Sequence, residues 1–198
     1  MNQSVNTTGV ILAGGQARRM GGQDKGWIPF HGRPMVEHIC RQLEPQCGQI
    51  IINANRNLEA YAKLGHPVVS DPLPDYQGPL SGMSAALTSM ESEWLVTVPC
   101  DGPFLSPDYV QRMHEALEPG QKLAVARFAE RLQPVYALIH RSLSGSLDRF
   151  LKTGERKIDR WYQTHDFSQV NLDDAPDMFI NINTPEQLEE VEKSHPCE

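Results

Sequence analysis

Glycines and cationic side chains are concentrated directly after a short apolar run near the start of the chain. The run is Val10-Ile11-Leu12, and the residues that follow it include Gly14, Gly15, Arg18, Arg19, Gly21, Gly22, Lys25 and Gly26. Glycine lets backbone amides approach a ligand closely, while arginine and lysine pair with phosphoryl oxygens. An ordinary glycine-rich turn with solvated cations is the alternative, but turn chemistry alone does not require so many residues of both types. The segment therefore predicts a site for a phosphorylated ligand.

The spacing within this segment differs from two familiar phosphate-binding loops. A P-loop requires Gly-Lys-Ser or Gly-Lys-Thr, whereas Lys25 stands between Asp24 and Gly26. The dinucleotide fingerprint Gly-x-Gly-x-x-Gly does not occur in the chain. Neither of these two classes of nucleotide-binding protein is indicated.

Polar side chains follow three further apolar runs, each at the point where a strand is expected to end. These side chains are Asn53, Asp71 and Asp101. Ligands bind at the carboxyl ends of strands in open α/β sheets, so the three are expected to join the glycine-rich segment in one site. Mg²⁺ takes one or two carboxylates together with phosphate oxygens and water, which makes Asp101 the predicted metal ligand. Asn53, Asn55 and Asp71 fit turn or helix-capping positions equally well.

The elements that must position these residues alternate along the chain. We expect strands over 10–12, 49–53, 67–70, 94–101, 122–128, 133–139 and 178–183. We expect helices over 34–46, 57–65, 79–90, 106–117, 142–151 and 185–193. Ser106 and Thr184 are the predicted N-caps of two helices, each followed by a proline at the first helical position. Pro134 suits the start of its strand.

The composition excludes several broad classes of protein. The 198 residues carry 25 acidic and 18 basic side chains, for a formal net charge of -7, whereas general nucleic-acid binding relies on many Lys and Arg. No apolar run is long enough to span a bilayer, and the four cysteines form no C-x-x-C pair that would indicate zinc or a disulfide framework. We expect one domain over residues 1–198 with loose ends at 1–7 and 194–198. This domain should be cytoplasmic, with no nucleic-acid or membrane partner.

Three motifs together resemble one family. Leu12-Ala13-Gly14-Gly15, followed by Arg19-Met20-Gly21 and Asp24-Lys25, resembles the signature of the nucleotidyltransferases related to the molybdenum cofactor guanylyltransferases. Pro99-Cys100-Asp101-Gly102-Pro103 and Asn181-Ile182-Asn183-Thr184-Pro185-Glu186 match the same relatives. The resemblance covers residues 8–190. It implies an α/β fold, a three-layer α/β/α Rossmann-like arrangement with a mostly parallel central sheet.

The resemblance also implies an activity. GMP would pass from GTP to the terminal phosphate of molybdopterin, with or without its molybdenum, and pyrophosphate would leave. The implied catalytic residues are Arg19, Lys25 and Asp101, with Mg²⁺ on Asp101. The implied GTP contacts are Leu12, Ala13, Gly14, Gly15, Lys25, Asn53, Asp71 and Asp101, and those on the molybdopterin side are Gly78, Gly82, Gln133, Asn181 and Asn183. The implied protein partners are other cofactor-biosynthesis proteins and molybdoenzyme chaperones, in transient contacts.

Several assignments remain open at this point. The relatives frequently have histidine where this chain has Gln133. Arg156 with Lys157 fits an anion contact or a solvated basic pair, and Trp161 with Tyr162 fits stacking on a pterin or burial in the core. These alternatives concern only the acceptor side of the expected site.

Two other functions compete with the implied one. The first is a sugar-1-phosphate nucleotidyltransferase. The similar motif in that class reads Pro-Lys where this chain has Asp24-Lys25, and those enzymes usually have a metal-binding carboxylate late in the chain, where this one has Asn181 and Asn183. A noncatalytic nucleotide sensor has no need to keep both Lys25 and Asp101. The residues therefore favour a guanylyltransferase over both alternatives.

Gly14 yields a prediction about the choice of base. In the cytidylyl relatives the similar motif reads Leu-Ala-Ala-Gly, whereas this chain has Leu-Ala-Gly-Gly. The additional glycine is therefore expected to admit guanine, which is larger than cytosine. We predict that Gly14→Ala lowers the preference for GTP over CTP, measured as the ratio of the two kcat/KM values. An unchanged ratio would contradict this interpretation.

Overall fold

A seven-stranded sheet lies at the centre of this computed structural model, which describes residues 5–15, 24–72 and 78–196. The strands are β1 (Thr7–Leu12), β2 (Pro29–Phe30), β3 (Arg33–Pro34), β4 (Gln49–Asn53), β5 (Val68–Val69), β6 (Trp94–Pro99), β7 (Leu123–Phe128), β8 (Arg131–His140) and β9 (Ser168–Asn171). The order in the sheet is β5-β4-β1-β6-β8-β7-β9, and β2 pairs with β3 in a separate hairpin. β8 is antiparallel to both of its neighbours, and the other neighbouring pairs are parallel. The mostly parallel sheet is confirmed.

Helices cover both faces of this sheet. They are α1 (Met35–Leu43), α2 (Leu58–Ala62), α3 (Pro79–Ser89), α4 (Tyr109–Glu115), α5 (Ser144–Lys152), α6 (Ile158–Tyr162) and α7 (Pro185–Ser194). Successive residues of a strand point to opposite faces, so Ile11 packs with α1 and α4 while Val10 packs with α3 and α5. The three-layer α/β/α arrangement is thereby confirmed. In the described ranges, no helix is long and apolar enough to cross a membrane.

The segment that carries Asn181 and Asn183 differs from the prediction. A strand was expected over 178–183, but the chain forms a 3-10 helix at Pro176–Phe179 and then continues outside the sheet. The Ile182 amide donates to the Asp101 carbonyl at 2.8 Å, so this segment is bound to the end of β6 rather than to a neighbouring strand. The strand prediction was therefore wrong, although Ile182 is fully buried as a strand residue would be.

The last strand of the sheet was missed by the sequence prediction. β9 pairs in parallel with β7, yet Val170 is the one buried residue among its four. The run lacks an apolar pattern because it lies at the edge of the sheet, where polar side chains remain in solvent. Its pairing depends on a tertiary contact and not on local composition.

Two helix starts and one strand start were tested by the fold. Thr184 accepts a hydrogen bond from the Gln187 amide at 3.2 Å, which confirms it as an N-cap. Ser106 is not a cap: its hydroxyl donates to the Asp108 carboxylate, and α4 begins only at Tyr109. Pro134 lies inside β8 rather than at its start, where the pairing with β7 shifts register and leaves 134–136 without partners on β7. Proline fits there because it has no amide to donate.

Two residues of the ranges expected to be loose ends belong to regular elements. Thr7 belongs to the range expected to be a loose end, but it is the first residue of β1 and is fully buried. At the other end, Ser194 is the last residue of α7.

Two glutamines, Gln42 in α1 and Gln46 in the 3-10 turn after it, contact the chain that follows Asp101. Gln42 donates to the Pro103 carbonyl at 2.7 Å and accepts from the Leu105 amide at 2.7 Å. Gln46, one helical turn later, donates to the Ser106 carbonyl at 2.9 Å and accepts from the Val110 amide at 3.0 Å. These side chains donate to and accept from backbone groups of the loop and of the first turn of α4. They therefore fix the loop that leaves the Asp101 strand end.

Gln46→Ala should lower the free energy of unfolding, because it leaves the Val110 amide without its partner in a buried position. The expected loss is about 1–3 kcal/mol, measured by urea denaturation. The matched control is Gln163→Ala, since Gln163 is exposed at the end of α6 and should change stability by less than about 0.5 kcal/mol. Equal losses in the two variants would contradict the bridging role.

Candidate active site

The carboxyl ends of β1, β4 and β6 open into a cavity of about 660 Å³. Most of the site residues expected from the sequence line it, namely Leu12, Gly14, Gly15, Lys25, Asn53, Asp71, Gly78, Asp101, Gln133 and Asn181. Ala13, Gly82 and Asn183 are not among the lining residues. Arg19 lies outside the described residues. The fold thus gathers segments that are far apart in sequence around a single cavity.

Lys25 and Asp101 form an ion pair at this cavity. The Lys25 Nζ atom lies 2.9 Å from Asp101 Oδ2 and also donates to Asn183 Oδ1. Both charged side chains are mostly buried, with 23% and 19% of their side-chain surface exposed. A partly buried pair is screened less by salt than a surface pair. The cavity therefore contains a cation and a carboxylate, both suited to a phosphorylated ligand and its metal ion.

Backbone contacts hold the Asp101 strand end in place. The Cys100 amide donates to the Leu12 carbonyl at 3.2 Å, and the Asp101 carbonyl accepts from Ile182 at 2.8 Å. Asp101 is consequently fixed between the end of β1 and the segment that carries Asn181 and Asn183. This contact explains how residues separated by 80 positions reach one side of the cavity without a strand in the second segment.

Lys25 is positioned by its buried neighbour Asp24. Asp24 Oδ1 accepts from the Tyr61 hydroxyl at 2.7 Å and from the Gly26 amide at 3.3 Å, while Oδ2 accepts from Asn57 Nδ2 at 3.1 Å. Arg56 Nε lies 3.7 Å from the same carboxylate. A buried carboxylate with these partners acts as an anchor for the 3-10 turn that begins with Lys25. Sequence reasoning missed Tyr61 and Asn57, because nothing in their local sequence indicates a contact with Asp24.

Asp71 is held by two asparagine side chains. Asn53 Nδ2 donates to Asp71 Oδ1 at 2.9 Å, and Asn55 Nδ2 donates to Asp71 Oδ2 at 2.9 Å. Asn55 Oδ1 accepts from the Asp71 amide at 2.9 Å. The N-cap of α2 is Asn57, so neither Asn53 nor Asn55 caps that helix. We refer to these three side chains as the Asn53–Asp71–Asn55 clamp.

Gly14 and Gly82 provide room for this clamp. A Cβ atom on Gly14 would lie 2.9 Å from Asn55 Nδ2 and 3.1 Å from Asn53 Oδ1. On Gly82, within α3, it would lie 2.2 Å from Asn53 Oδ1 and 2.9 Å from Leu12 Cδ2. Glycine is needed at both positions because any side chain would displace the asparagine amides. The structure thus places Gly82 against Asn53, whereas the resemblance assigns it to the molybdopterin side.

The register shift in β8 supplies the other wall of the cavity. Gln133, Pro134, Val135 and Tyr136 line it there. The Tyr136 hydroxyl donates to the Met178 carbonyl at 2.7 Å. Burial, and then the nearby Asp101 carboxylate, raise the pKa of Tyr136 well above its ordinary value. Tyr136 therefore stays neutral and protonated beside the ion pair.

The remaining candidates on the acceptor side lie away from this cavity. Arg156 does not line it, and its guanidinium donates to the Leu151 and Glu155 carbonyls at 2.8 and 2.7 Å. Trp161 and Tyr162 are fully buried in the core under α3 and α5. Burial, rather than stacking on a ligand, is thus the observed role of these two aromatic residues.

The donor set suits a metal ion that arrives with phosphate. No group of three or more His, Cys, Asp or Glu able to hold a metal occurs within residues 5–15, 24–72 and 78–196. Mg²⁺ usually keeps several waters and takes only one or two protein carboxylates plus substrate phosphates. Asp101, with the Asn183 amide oxygen close by, fits that pattern. The same residues do not form a closed metal cage.

The mostly parallel α/β/α sheet, with the Lys25–Asp101 pair at its strand ends, defines a nucleotidyltransferase. The family model of the MobA-like NTP transferase domain matches residues 9–170. A molybdenum cofactor guanylyltransferase from Shewanella loihica is 46% identical over 93% of this chain and 95% of its own length. A molybdenum cofactor guanylyltransferase from Vibrio cholerae is 44% identical over 98% of this chain and 95% of its own length. The chain belongs to the molybdenum cofactor guanylyltransferases, a family of enzymes with the MobA-like domain.

A solved structure supports the fold independently. Molybdopterin-guanine dinucleotide biosynthesis protein A from Archaeoglobus fulgidus aligns with a TM-score of 0.76 at 22% identity, covering 95% of this chain and 97% of that one. At this identity the similarity shows that the two proteins share the fold.

Gly82→Ala should disturb the nucleotide side of the cavity, because its Cβ atom would displace Asn53 from Asp71. We expect KM for GTP to rise about tenfold or more, measured in steady-state assays. Gly145→Ala is the control, since its Cβ would meet only Arg149 Nη1 at 3.5 Å. A change in the acceptor KM alone would contradict this assignment and favour the acceptor side for Gly82.

Proposed function

We propose that this protein transfers GMP from GTP to the terminal phosphate of molybdopterin, releasing pyrophosphate. The meeting of Lys25, Asp101 and Asp71 around one cavity carries the proposal, because a nucleoside triphosphate needs both charged partners for its phosphates and polar partners for its base. Relatives that share 44–47% identity with the chain and are named molybdenum cofactor guanylyltransferase support the choice of substrates. GTP is the donor and molybdopterin the acceptor in this proposal.

The phosphate end of the nucleotide belongs near Lys25 in this mechanism. The Lys25 ammonium, now shared between Asp101 and Asn183, would turn to the triphosphate and offset its charge. Leu12, Gly14 and Gly15 line the same cavity, and backbone amides of such a glycine segment can donate to phosphoryl oxygens. Arg19, outside the described residues, is proposed as a further cation for the phosphates.

Asp101 would hold Mg²⁺ together with oxygens of the triphosphate. Mg²⁺, when bound, supplies neutralisation of phosphate charge in the transition state. The Asn183 amide oxygen lies on the same ammonium as Asp101, so release of Lys25 frees both oxygen ligands together. In this proposal the Asp101 carboxylate would pair with Lys25 before the nucleotide binds and with the metal ion afterwards.

The acceptor phosphate would attack the α-phosphorus of GTP directly. A new bond forms between an acceptor phosphate oxygen and the α-phosphorus, and the bond from that phosphorus to the oxygen it shares with the β-phosphorus breaks, so that this oxygen leaves with pyrophosphate. A phosphate monoester needs no general base, because its second pKa is near 6 and it is mostly dianionic at neutral pH. The protein's contribution is then in-line positioning and charge neutralisation. No covalent enzyme intermediate is part of this route.

Gly78, Gln133 and Asn181 line the cavity and are proposed for the acceptor side. Asn181 lies beside Gly102: if position 102 carried a Cβ atom, that atom would lie 3.4 Å from Asn181 Oδ1. A glutamine at position 133 offers both a donor and an acceptor to a pterin. In the same proposal the reaction takes place in the cytoplasm, with transient contacts to other cofactor-biosynthesis proteins and molybdoenzyme chaperones.

The test is pyrophosphate release by the purified protein with Mg²⁺ and molybdopterin, supplied with GTP, CTP, ATP or UTP in separate reactions. Turnover should occur with GTP, and Lys25→Met should lower kcat at least about a hundredfold because the triphosphate loses its cation. Exposed Lys193→Met, in α7, is the matched control and should leave kcat unchanged.

Three outcomes would contradict the proposal. Turnover only with a sugar phosphate in place of molybdopterin would favour the sugar-1-phosphate nucleotidyltransferases. Binding of nucleotide without turnover would indicate a sensor. A guanylylated protein after acid quenching would exclude the direct route.

A further inference from the structure

We propose that Asn55 is a positioning residue that orients the Asp71 carboxylate to select guanine. This inference rests on the proposed function, since it takes GTP as the donor nucleotide. Asp71 lines the cavity, whereas Asn55 is not among the residues that do. Asn55 therefore acts on the nucleotide through Asp71.

The clamp leaves Asp71 free to accept further hydrogen bonds. Each carboxylate oxygen of Asp71 receives one side-chain amide, from Asn53 and Asn55 respectively. An ionised carboxylate offers about four lone-pair sites, so about two remain available. No ion pair in the described ranges involves Asp71. Neutral amides thus orient the carboxylate without cancelling its charge.

Asn55 restrains Asp71 more completely than Asn53 does. Its amide group forms a ring with Asp71, donating to Oδ2 at 2.9 Å and accepting from the Asp71 amide at 2.9 Å. These two bonds define which way the Asn55 side chain is turned and fix the carboxylate relative to its own backbone. Asn53 makes one hydrogen bond to Asp71. Each Nδ2 atom also has a longer contact with a backbone carbonyl, that of Val69 at 3.3 Å for Asn53 and that of Gly14 at 3.4 Å for Asn55. Loss of Asn55 would therefore let the carboxylate rotate.

A fixed carboxylate distinguishes guanine from the other bases by chemistry. Guanine presents two adjacent donors, N1–H and the 2-amino group, which can bind the two oxygens of one carboxylate. Adenine and cytosine each present a ring-nitrogen acceptor beside their amino group, and uracil presents one N–H between two carbonyl oxygens. An acceptor facing the half-buried Asp71 carboxylate is unfavourable, and unpaired polar groups of this kind give large discrimination.

Gly14 connects to the same clamp. Its added Cβ atom would press on the Asn55 and Asn53 amides, at 2.9 and 3.1 Å. An effect of Gly14→Ala on base preference can thus pass through Asp71, and does not require contact between the new methyl group and the base.

The test is calorimetric binding of GTP and of ITP, which lacks the 2-amino group, without acceptor. Wild-type protein should bind GTP more tightly than ITP. Asn55→Ala should weaken GTP binding about ten- to a hundredfold and bring the GTP/ITP affinity ratio close to one. In transfer assays the same variant should raise KM for GTP and leave kcat nearly unchanged. Asn171→Ala is the matched control, because the Asn171 side chain, in β9, accepts from the Asp173 amide and does not line the cavity.

A second variant keeps the test informative if Asn55→Ala folds poorly. Asn55→Asp keeps the size of the side chain and an acceptor for the Asp71 amide, but it replaces the donor with a second carboxylate. It should also bring the GTP/ITP ratio close to one. In an Asp71→Asn background, Asn55→Ala should cause little further loss of the ratio, because both changes act on one carboxylate.

The outcomes separate this inference from the proposed function. Equal weakening of GTP and ITP by Asn55→Ala, with the ratio preserved, would overturn the positioning role. Wild-type binding of GTP and ITP with equal affinity would overturn guanine reading by Asp71 while GMP transfer still stood. A wild-type protein that binds neither nucleotide would overturn the proposed function and this inference with it.

Discussion

The ion pair between Lys25 and Asp101 is the interaction on which the site depends. It joins the turn after the glycine-rich segment to the end of β6, and Asn183 adds the C-terminal segment through the same ammonium group. Three distant parts of the sequence therefore meet on one charged atom. The sheet makes this possible, because the parallel pairing of β1 with β4 and β6 brings their carboxyl ends to one edge. Without this shared edge of the sheet, Lys25 and Asp101 would not face the same cavity.

Three carboxylates around the nucleotide side have different partners and hence different uses. Asp24 is buried and accepts hydrogen bonds from Tyr61, Gly26 and Asn57, so it serves the structure. Asp101 is paired with the Lys25 ammonium, and in the proposed mechanism a phosphate draws that cation away. Asp71 has only neutral amide donors, which orient it and leave its charge available to a ligand. In the proposed mechanism, the environment of each side chain, and not its type, separates an anchor from a metal ligand and from a base-reading group.

Local sequence was sufficient where a single element determines the answer. The buried run at Ile50 to Ile52 and the Thr184 cap were both predicted correctly, since β-branched runs and capping residues act within a few positions. The polar residues expected at strand ends, Asn53, Asp71 and Asp101, all line the cavity. The mostly parallel sheet was expected from the family resemblance, and the fold confirms it.

Tertiary contacts decided the features that local sequence did not reveal. The Asn181 segment is held by a hydrogen bond from the Ile182 amide to the Asp101 carbonyl. Ile182 is apolar because it is buried at this contact, and the sequence pattern there was mistaken for a strand. β9 pairs with β7 although three of its four residues are not buried. Tyr61, Gln46 and Asn55 act through partners 15 or more positions away, at Asp24, Val110 and Asp71. Asn55 stands two residues after Asn53 on the same strand exit, and that spacing was the one available signal.

The most direct test of this account is a crystal structure of the protein with GTP and Mn²⁺, in which anomalous scattering locates the metal. The account predicts the guanine edge on the Asp71 carboxylate, the metal on Asp101, and Lys25 turned from Asp101 to the triphosphate. A nucleotide whose base lies away from Asp71, or a metal held without Asp101, would contradict it.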